Sequence, residues 1–279
     1  MQSSALGEIP DIGFGGMPLS IQGRPDEEQG RRVLNAAIDA GMTLIDTADV
    51  YCLDDNDIGH NERLIASINR RDFKVATKAG LRRPRGAWTN DASPQHIREA
   101  CEQSLRSLKT DRIWLYQLHA PDPKVACEKS VEAFAELQRE GKLEHFGLSN
   151  VSVKQIDAAS KILPVVSVQN RLNPYFRESI KVAKACAERG IVFLAYSPVG
   201  GGRLAKKLPQ FDVLIDLARK HDRSVHAITI AWVRAQAKTV VPIPAARSVE
   251  HAVDSAKATG FMLDEEDVRM IDESEFDRT

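Results

Sequence analysis

Four residues in this chain have side chains suited to proton chemistry and lie at or just past short apolar runs: Asp46, Tyr51, Lys78 and His119. Asp46 follows Leu44-Ile45, and Tyr51 sits in the loop beyond it. Lys78 follows Val75-Ala76-Thr77, and His119 follows Leu115-Tyr116-Gln117-Leu118. A tyrosine is a poor acid at neutral pH, with an ordinary pKa of about 10. A nearby ammonium favours the phenolate, so Lys78 is expected to pull the Tyr51 pKa down. A buried lysine needs a counter-charge, which Asp46 would supply. His119 would hydrogen-bond an oxygen on which negative charge develops. The set suits proton donation to a carbonyl during hydride transfer. None of the four is a good nucleophile, which argues against covalent hydrolysis. Each also has a plain structural reading: Asp46 as a helix N-cap, Tyr51 as a loop aromatic, Lys78 as a solvated charge, His119 as a partner for local backbone. The chemical reading rests on the four together.

Those residues must be positioned by alternating elements. Strand-like runs occur at Ile12-Gly13-Phe14-Gly15, Thr43-Leu44-Ile45, Phe73 to Ala76, Ile113 to Tyr116, His145 to Leu148, Val165 to Val168, Ile191 to Leu194 and Val240 to Ile243. Each is too short for a helix, and several are rich in β-branched residues. Helical patterns fill segments 26–40, 93–108, 128–140, 152–161 and 178–189. In the first, Val33, Ala36, Ala37 and Ala40 share a face and Gly41 follows as a stop. Ser93-Pro94 reads as an N-cap followed by proline at the first helical position. Ser152 with Gln155 fits a capping box. Eight strands alternating with helices imply a parallel sheet, either closed into a (β/α)8 barrel or open and doubly wound. The open form would bind a dinucleotide through G-x-G-x-x-G, but Gly13-Phe14-Gly15-Gly16-Met17-Pro18 places proline at the third glycine. A closed barrel puts chemistry at the C-terminal strand ends, where the four residues fall. No linker or low-complexity stretch divides the chain, so one domain is expected over 1–279.

The 279 residues are 43% hydrophobic and 28% charged, with a formal net charge of −1, which gives no ground for a nucleic-acid partner. No run of about 18 apolar residues exists, so no membrane span is expected. Cys52, Cys101, Cys127 and Cys186 are too scattered for a zinc site and read as free thiols, and no metal is expected. The opening stretch MQSSALGEIPDIGFGG lacks the basic and apolar regions of a signal peptide, so a cytoplasmic location is expected, and a monomer rather than an oligomer.

Several segments resemble the aldo-keto reductase family. Leu44-Ile45-Asp46-Thr47-Ala48-Asp49-Val50-Tyr51 is similar to its L-I-D-T-A-x-x-Y motif, and Val75-Ala76-Thr77-Lys78 to its strand-ending lysine. Asp111 to His119 resembles its D-x-x-D-L-Y-x-x-H strand, with Trp114 in place of the acidic residue, and Gly147-Leu148-Ser149-Asn150 matches its G-x-S-N turn. The likeness runs from about Gly13 to about Ala258. It implies a (β/α)8 barrel that reduces an aldehyde or ketone with NADP(H). Tyr51 would be the proton donor, Lys78 and Asp46 would tune it, and His119 would orient the carbonyl. Ser149, Asn150 and Gln169, with Asp46 beside them, would hold the nicotinamide carboxamide, and Tyr196 would stack on its ring. Gly16 and Met17 would approach the cofactor through their backbone. The run Ser197-Pro198-Val199-Gly200-Gly201, with Arg203 beyond it, would face the pyrophosphate; a linker is the alternative reading. Ile243, Ala245, Arg247, Ser248 and His251 would form the adenosine end. Ala245 stands where the family often has glycine or lysine, which leaves Arg247 as the reader of the 2′-phosphate.

Two rival functions keep the barrel: a cofactor-binding regulator with little turnover, and a Schiff-base isomerase or lyase using Lys78. Substrate choice would lie in loops 52–60, 81–92, 120–124 and 200–210, with Trp88 either a pocket wall or a surface-loop tryptophan packed for stability. Little chain follows Ser255 to roof the pocket, so the substrate is expected to be a compact or planar aldehyde, sugar-derived or aromatic.

Overall fold

The computed structural model describes residues 6–278; Met1–Ala5, the start of the stretch read for a leader, and Thr279 lie outside the described residues. The strands in chain order are β1 (Phe14–Gly15), β2 (Leu44–Asp46), β3 (Lys74–Ala79), β4 (Leu81–Arg82), β5 (Thr89–Asn90), β6 (Ile113–Leu118), β7 (Leu143–Ser149), β8 (Val165–Arg171), β9 (Val192–Tyr196) and β10 (Val240–Ile243). Eight of them form one parallel sheet in the order β1-β2-β3-β6-β7-β8-β9-β10, while β4 and β5 pair as a small antiparallel hairpin. The sheet closes on itself: Gly13 N donates to Pro242 O at 2.9 Å and Gly15 N to Pro244 O at 2.8 Å. The fold is a (β/α)8 barrel, as the strand pattern implies.

Period-two alternation builds both the core and the site. Leu44 and Asp46, Ala76 and Lys78, and Leu194 and Tyr196 are each two residues apart, so each pair faces the same side of the sheet. Leu44, Ala76, Leu115, Leu194, Val241 and Ile243 pack into one apolar cluster inside the barrel. The residues one step further along emerge above that floor, at the C-terminal mouth.

The helices are α1 (Glu27–Asp39), α2 (His60–Ala66), α3 (Pro94–Leu108), α4 (Cys127–Arg139), α5 (Val153–Ala159), α6 (Ile180–Glu188), the short α7 (Gly202–Ala205), α8 (Asp212–His221), α9 (Val225–Ala235), α10 (Val249–Ala256) and α11 (Glu265–Glu273). Helix α1 starts where Asp26 accepts from Gln29 N at 2.7 Å. Its buried residues include Val33 and Ala37 but also Leu34 and Ile38, so the inward face is rotated from the expected stripe, and Ala36 and Ala40 are only partly covered. The larger side chains take the core positions because they remove more apolar area from water. Helix α3 has the expected Ser93 cap and Pro94, and α5 has the full Ser152–Gln155 capping box. The hairpin inside 81–92, and helices α2 and α7 to α11, have no counterpart in the sequence-based expectation. Helix α9 illustrates why: Ala227 to Val233 is buried throughout, so it shows no polar face to betray a helical period.

Candidate active site

The strand ends bring Asp46, Tyr51, Lys78 and His119 together. Asp46 closes β2, Lys78 is the fifth residue of β3, and His119 follows β6 directly. Lys78 is wholly buried. Its Nζ donates to Asp46 Oδ2 at 2.8 Å, to Thr47 O at 2.8 Å and to Tyr51 OH at 3.0 Å. Three donors therefore meet three acceptors, and the ammonium is fully satisfied. Burial opposes its charge, but Asp46 and Tyr51 outweigh burial and hold the Lys78 pKa above its usual value. A permanently protonated lysine lacks the lone pair that a Schiff base needs.

Tyr51 is buried, and the expectation that Lys78 would lower its pKa is corrected: the pKa is pushed up to about 12. Burial is the dominant cause, and the Lys78 ammonium offsets only part of it. The phenol thus keeps its proton at neutral pH, and Lys78 stands 3.0 Å away to stabilise the phenolate once that proton has moved. His119 is also buried, and burial followed by the charge of Lys78 drives its pKa well below the usual value, so the ring is neutral. Its Nδ1 has no partner among the described residues. The Tyr51 and His119 rings meet edge-on with centroids 5.7 Å apart. Trp88, 47% exposed, stands edge-on to both, at 6.4 Å from Tyr51 and 6.5 Å from His119.

The other strand ends extend this polar mouth. Gln169 Nε2 donates to Asp46 Oδ1 at 2.7 Å, joining β8 to β2 across the barrel. Asn150 Nδ2 donates to His119 O at 2.9 Å, and Asn150 Oδ1 accepts from Tyr196 OH at 2.9 Å. Asn150 and Ser197 both have positive φ, of 59° and 50°, unusual for residues other than glycine. Ser149 is buried beside Asn150, and Tyr196 is half-buried.

Around the rim, Gly16 is where a side chain would not fit: an added Cβ would lie 2.5 Å from Asn61 Oδ1. Asn61 in turn accepts from Thr47 Oγ1 and donates to Gly16 O and Ser20 Oγ. The loops after β1 and β2 are therefore joined by one buried amide. Met17 and Pro18 start a short 3-10 turn after Gly16. Val199, Gly200 and Gly201 run from the end of β9 into α7, so the glycine-rich stretch is partly helical. Arg203 donates to Arg278 O, and Arg247 donates to Pro18 O at 3.1 Å and Gln22 O at 2.9 Å. Ser248 caps α10 by accepting from His251 N at 3.3 Å, with Ala245 exposed and Ile243 buried just before it.

Sequence reasoning missed Thr47 and Asn61, which brace the mouth, and Glu62, whose buried carboxyl accepts from Thr77 Oγ1 at 2.6 Å behind Lys78. Asn61 and Glu62 lie on α2, which is only seven residues long and so repeats any pattern barely twice. The available signal was the pair of hydrogen-bonding residues next to Leu64-Ile65, polar groups on an otherwise apolar inner face.

A parallel barrel with a buried Asp–Lys–Tyr group and a neutral histidine at its mouth defines an enzyme-like proton-transfer site. The family model described as Aldo/keto reductase family matches residues 11–275. An uncharacterized oxidoreductase of Schizosaccharomyces pombe is 33% identical over 94% of this chain and 85% of its own length. Among solved structures, a glycerol dehydrogenase from Gluconobacter oxydans superposes with a TM-score of 0.83 at 27% identity, covering 96% of this chain and 94% of its own. An aldo-keto reductase from Klebsiella pneumoniae in complex with NADPH gives 0.79 at 27% identity, covering 95% of this chain and 90% of its own. The chain belongs to the aldo/keto reductase family of oxidoreductases. Among the described residues no helix is long and apolar enough to cross a membrane, and no cluster of three metal-ligating side chains occurs.

Proposed function

We propose that the chain reduces a small aldehyde or ketone to an alcohol with NADPH, Tyr51 giving the proton. The observation that carries this reading is the sealed chain Asp46–Lys78–Tyr51, with contacts of 2.8 Å and 3.0 Å. The residues at the mouth suit a dinucleotide: Gly200 and Gly201 have φ of 86° and 70°, and Ser149, Asn150 and Gln169 offer amide and hydroxyl groups beside Tyr196. When bound, NADPH supplies the hydride. Ser149, Asn150 and Gln169 would hold its carboxamide, and Tyr196 would offer its ring face for stacking. The backbone of Gly16, Met17 and residues 197–201 would hold the diphosphate, with Arg203 adding charge. Arg247 and the capped start of α10 would receive the 2′-phosphate.

Tyr51 OH donates to the substrate oxygen, and His119, neutral, fixes that oxygen with an N–H. As the proton leaves Tyr51, the negative charge arrives beside an ammonium already in place, so no reorganisation is needed. Asp46 keeps Lys78 charged throughout. Trp88, standing over Tyr51 and His119, favours a compact or planar carbonyl compound. The whole chain acts as one domain, a monomer with no nucleic-acid partner.

The test follows NADPH oxidation with a panel of sugar-derived and aromatic aldehydes in wild type and Tyr51→Phe. General-acid assistance is worth about 10²–10⁴-fold, so the variant should lose at least about 100-fold in kcat and keep its NADPH affinity. A loss under about tenfold would remove Tyr51 as the acid. Absence of turnover in wild type across the panel would favour a cofactor-binding regulator.

A further inference from the structure

Trp88 stands just ahead of β5 on the β4–β5 hairpin, edge-on to Tyr51 and His119. With 47% of its surface exposed, it is not held in place by burial. The hairpin that carries it is thinly supported. It pairs only Leu81 with Asn90 and Arg82 with Thr89. Its base is tied down: His96 Nε2 donates to Leu81 O at 3.0 Å, Arg82 Nε to Asp91 Oδ2 at 2.6 Å, and Asn90 Nδ2 to Pro121 O at 2.9 Å. Beyond the base, none of residues 84–86 is buried. A cavity of about 480 Å³ lies between Leu81, Arg83 and Pro84 on one side and Ala100 and Gln103 of α3 on the other. A two-stranded hairpin is marginal by itself, so the indole needs a further hold.

Arg83 supplies it. Its guanidinium carbon lies over the Trp88 ring, 3.9 Å from the ring centre. Its Nη2 donates to Cys52 O and Leu53 O, both at 3.1 Å, on the loop just past Tyr51. One planar group thus joins Trp88 to the loop that carries Tyr51. Arg83 is only 5% exposed, and its Nε and Nη1 are covered and have no partner among the described residues. A buried charge with unfilled donors costs stability, so stability is a poor reason for an arginine at this position. A flat stack combined with a fork to two carbonyls needs a planar cation, which lysine does not offer.

Three rings make the corner into which a carbonyl group must fit. Their centroids are 5.7 Å apart for Tyr51 and His119, 6.4 Å for Tyr51 and Trp88, and 6.5 Å for Trp88 and His119. Their planes are turned by 82°, 74° and 69° in the same order. A carbonyl compound hydrogen-bonded at Tyr51 and His119 has the indole as its side wall. A flat substituent runs along such a wall, and a carbon with three branches runs into it.

We infer that Arg83 is a positioning residue: it fixes Trp88 as a rigid wall and so selects flat carbonyl compounds over those branched beside the carbonyl. The selectivity depends on the carbonyl reduction proposed above; the pinning of Trp88 does not. Without the guanidinium, the indole loses the plate it lies on, and the hairpin has the cavity behind it to sink into. Tyr51, Lys78 and His119 keep their own contacts.

Full-length wild type, Arg83→Met and Arg83→Lys are compared, each also in a Trp88→Leu background. The first reading is kcat/KM with NADPH for benzaldehyde, which is flat, against trimethylacetaldehyde, which is branched. A contact with a pocket wall discriminates by about 10-fold or more, so both Arg83 variants should lower the benzaldehyde preference at least about fivefold. The loss should come through a higher benzaldehyde KM rather than a lower kcat. Arg83→Lys keeps a donor and a charge, so it decides if Arg83→Met does not fold. In the Trp88→Leu background the Arg83 changes should alter the preference by less than about twofold, because the residue through which they act is gone. A purely structural role would persist there. The second reading needs no turnover. The tryptophan emission lost on Trp88→Leu isolates Trp88 from Trp114 and Trp232. In the Arg83 variants that emission should shift to longer wavelength and be quenched more readily by acrylamide. The inference is overturned by an unchanged preference in a folded Arg83 variant, by an undiminished effect in the Trp88→Leu background, or by unchanged Trp88 emission. If wild type reduces neither aldehyde, the proposed reaction fails, and the emission alone decides whether Arg83 pins Trp88.

Discussion

At the Tyr51 end of the mouth the charged groups are sealed in and fully matched, with Lys78 and Asp46 at 0% and 4% side-chain exposure, while at the Arg247 end the guanidinium is exposed and tied to backbone carbonyls of Pro18 and Gln22. The first arrangement is built for a proton that moves less than the length of a hydrogen bond. Nothing there needs to rearrange, and the low-dielectric setting makes each charge act strongly. The second is built for a ligand that arrives and leaves. Arg247 can exchange a neutral carbonyl for a phosphate and gain a charge-assisted contact. In the proposed function, chemistry takes the rigid interior and recognition the wet rim.

The largest way to break this contrast is Lys78→Met. It leaves Asp46 buried with Gln169 and without its cation, and it takes the charge from beside Tyr51. Removing one partner of a buried pair costs about 3–5 kcal/mol of stability. Denaturant melts should show that loss, and reductase turnover should fall steeply while NADPH still binds at the Arg247 end. Full activity in the variant would sink the proposed mechanism. So would substrate-dependent borohydride trapping at Lys78 in wild type.

Glu62 sharpens the same contrast through pH. Burial pushes its pKa up to about 7 from an ordinary 4.5, so the folded state holds a proton that the unfolded state releases earlier. Stability is then greatest below the unfolded pKa and falls as pH rises through the window from 4.5 to about 7. At about 1.4 kcal/mol per pKa unit, the loss is on the order of 3 kcal/mol. Glu62→Gln keeps an acceptor for Thr77 and should remove that share of the pH slope. Unfolding free energies of both proteins at pH values on either side of the window check it; parallel curves would count against it.

Arg247→Ala probes the wet end. NADPH binding should weaken by about 1.5–3 kcal/mol more than NADH binding, the scale of a hydrogen bond to a charged group. Equal losses for the two cofactors would show that Arg247 does not read the 2′-phosphate. The smallest effect is expected at Ser93→Ala, far from either end. Its hydroxyl caps α3 by accepting from His96 N at 3.3 Å. The change should cost about 1 kcal/mol in stability and leave kcat unaltered.

The legible parts of the molecule were those with local signatures. The barrel strands could be read because each is a short apolar run, and the Asp46, Lys78 and His119 strand ends because a polar group follows such a run. Ser93-Pro94 and Ser152 with Gln155 announced their helices by cap chemistry. What stayed hidden depends on three-dimensional surroundings. The sign of the Tyr51 shift turned on burial outweighing a neighbouring charge, and burial depth is not written in a loop sequence. Asn61 and Arg83 act across 45 and 31 positions of chain, on Gly16 and Cys52, and no spacing rule connects such partners. Helix α9 was lost because it lacks a wet side.

The joint between β1 and β10 makes the barrel unequal around its circumference. Gly13 and Gly15 each give an N–H to a proline carbonyl, and Pro242 and Pro244 have no N–H to give in return. Bonding across this joint therefore runs one way, where other neighbouring strands exchange bonds in both directions. A ring opens first where it is least cross-tied. Slow deuterium uptake at these two glycine amides would then time the excursions of the whole cylinder. Gly16, one residue past the joint and bound to Asp46 O at 2.8 Å, would move with it, so the edge of the proposed dinucleotide seat would be hinged on the cylinder's one-way weld.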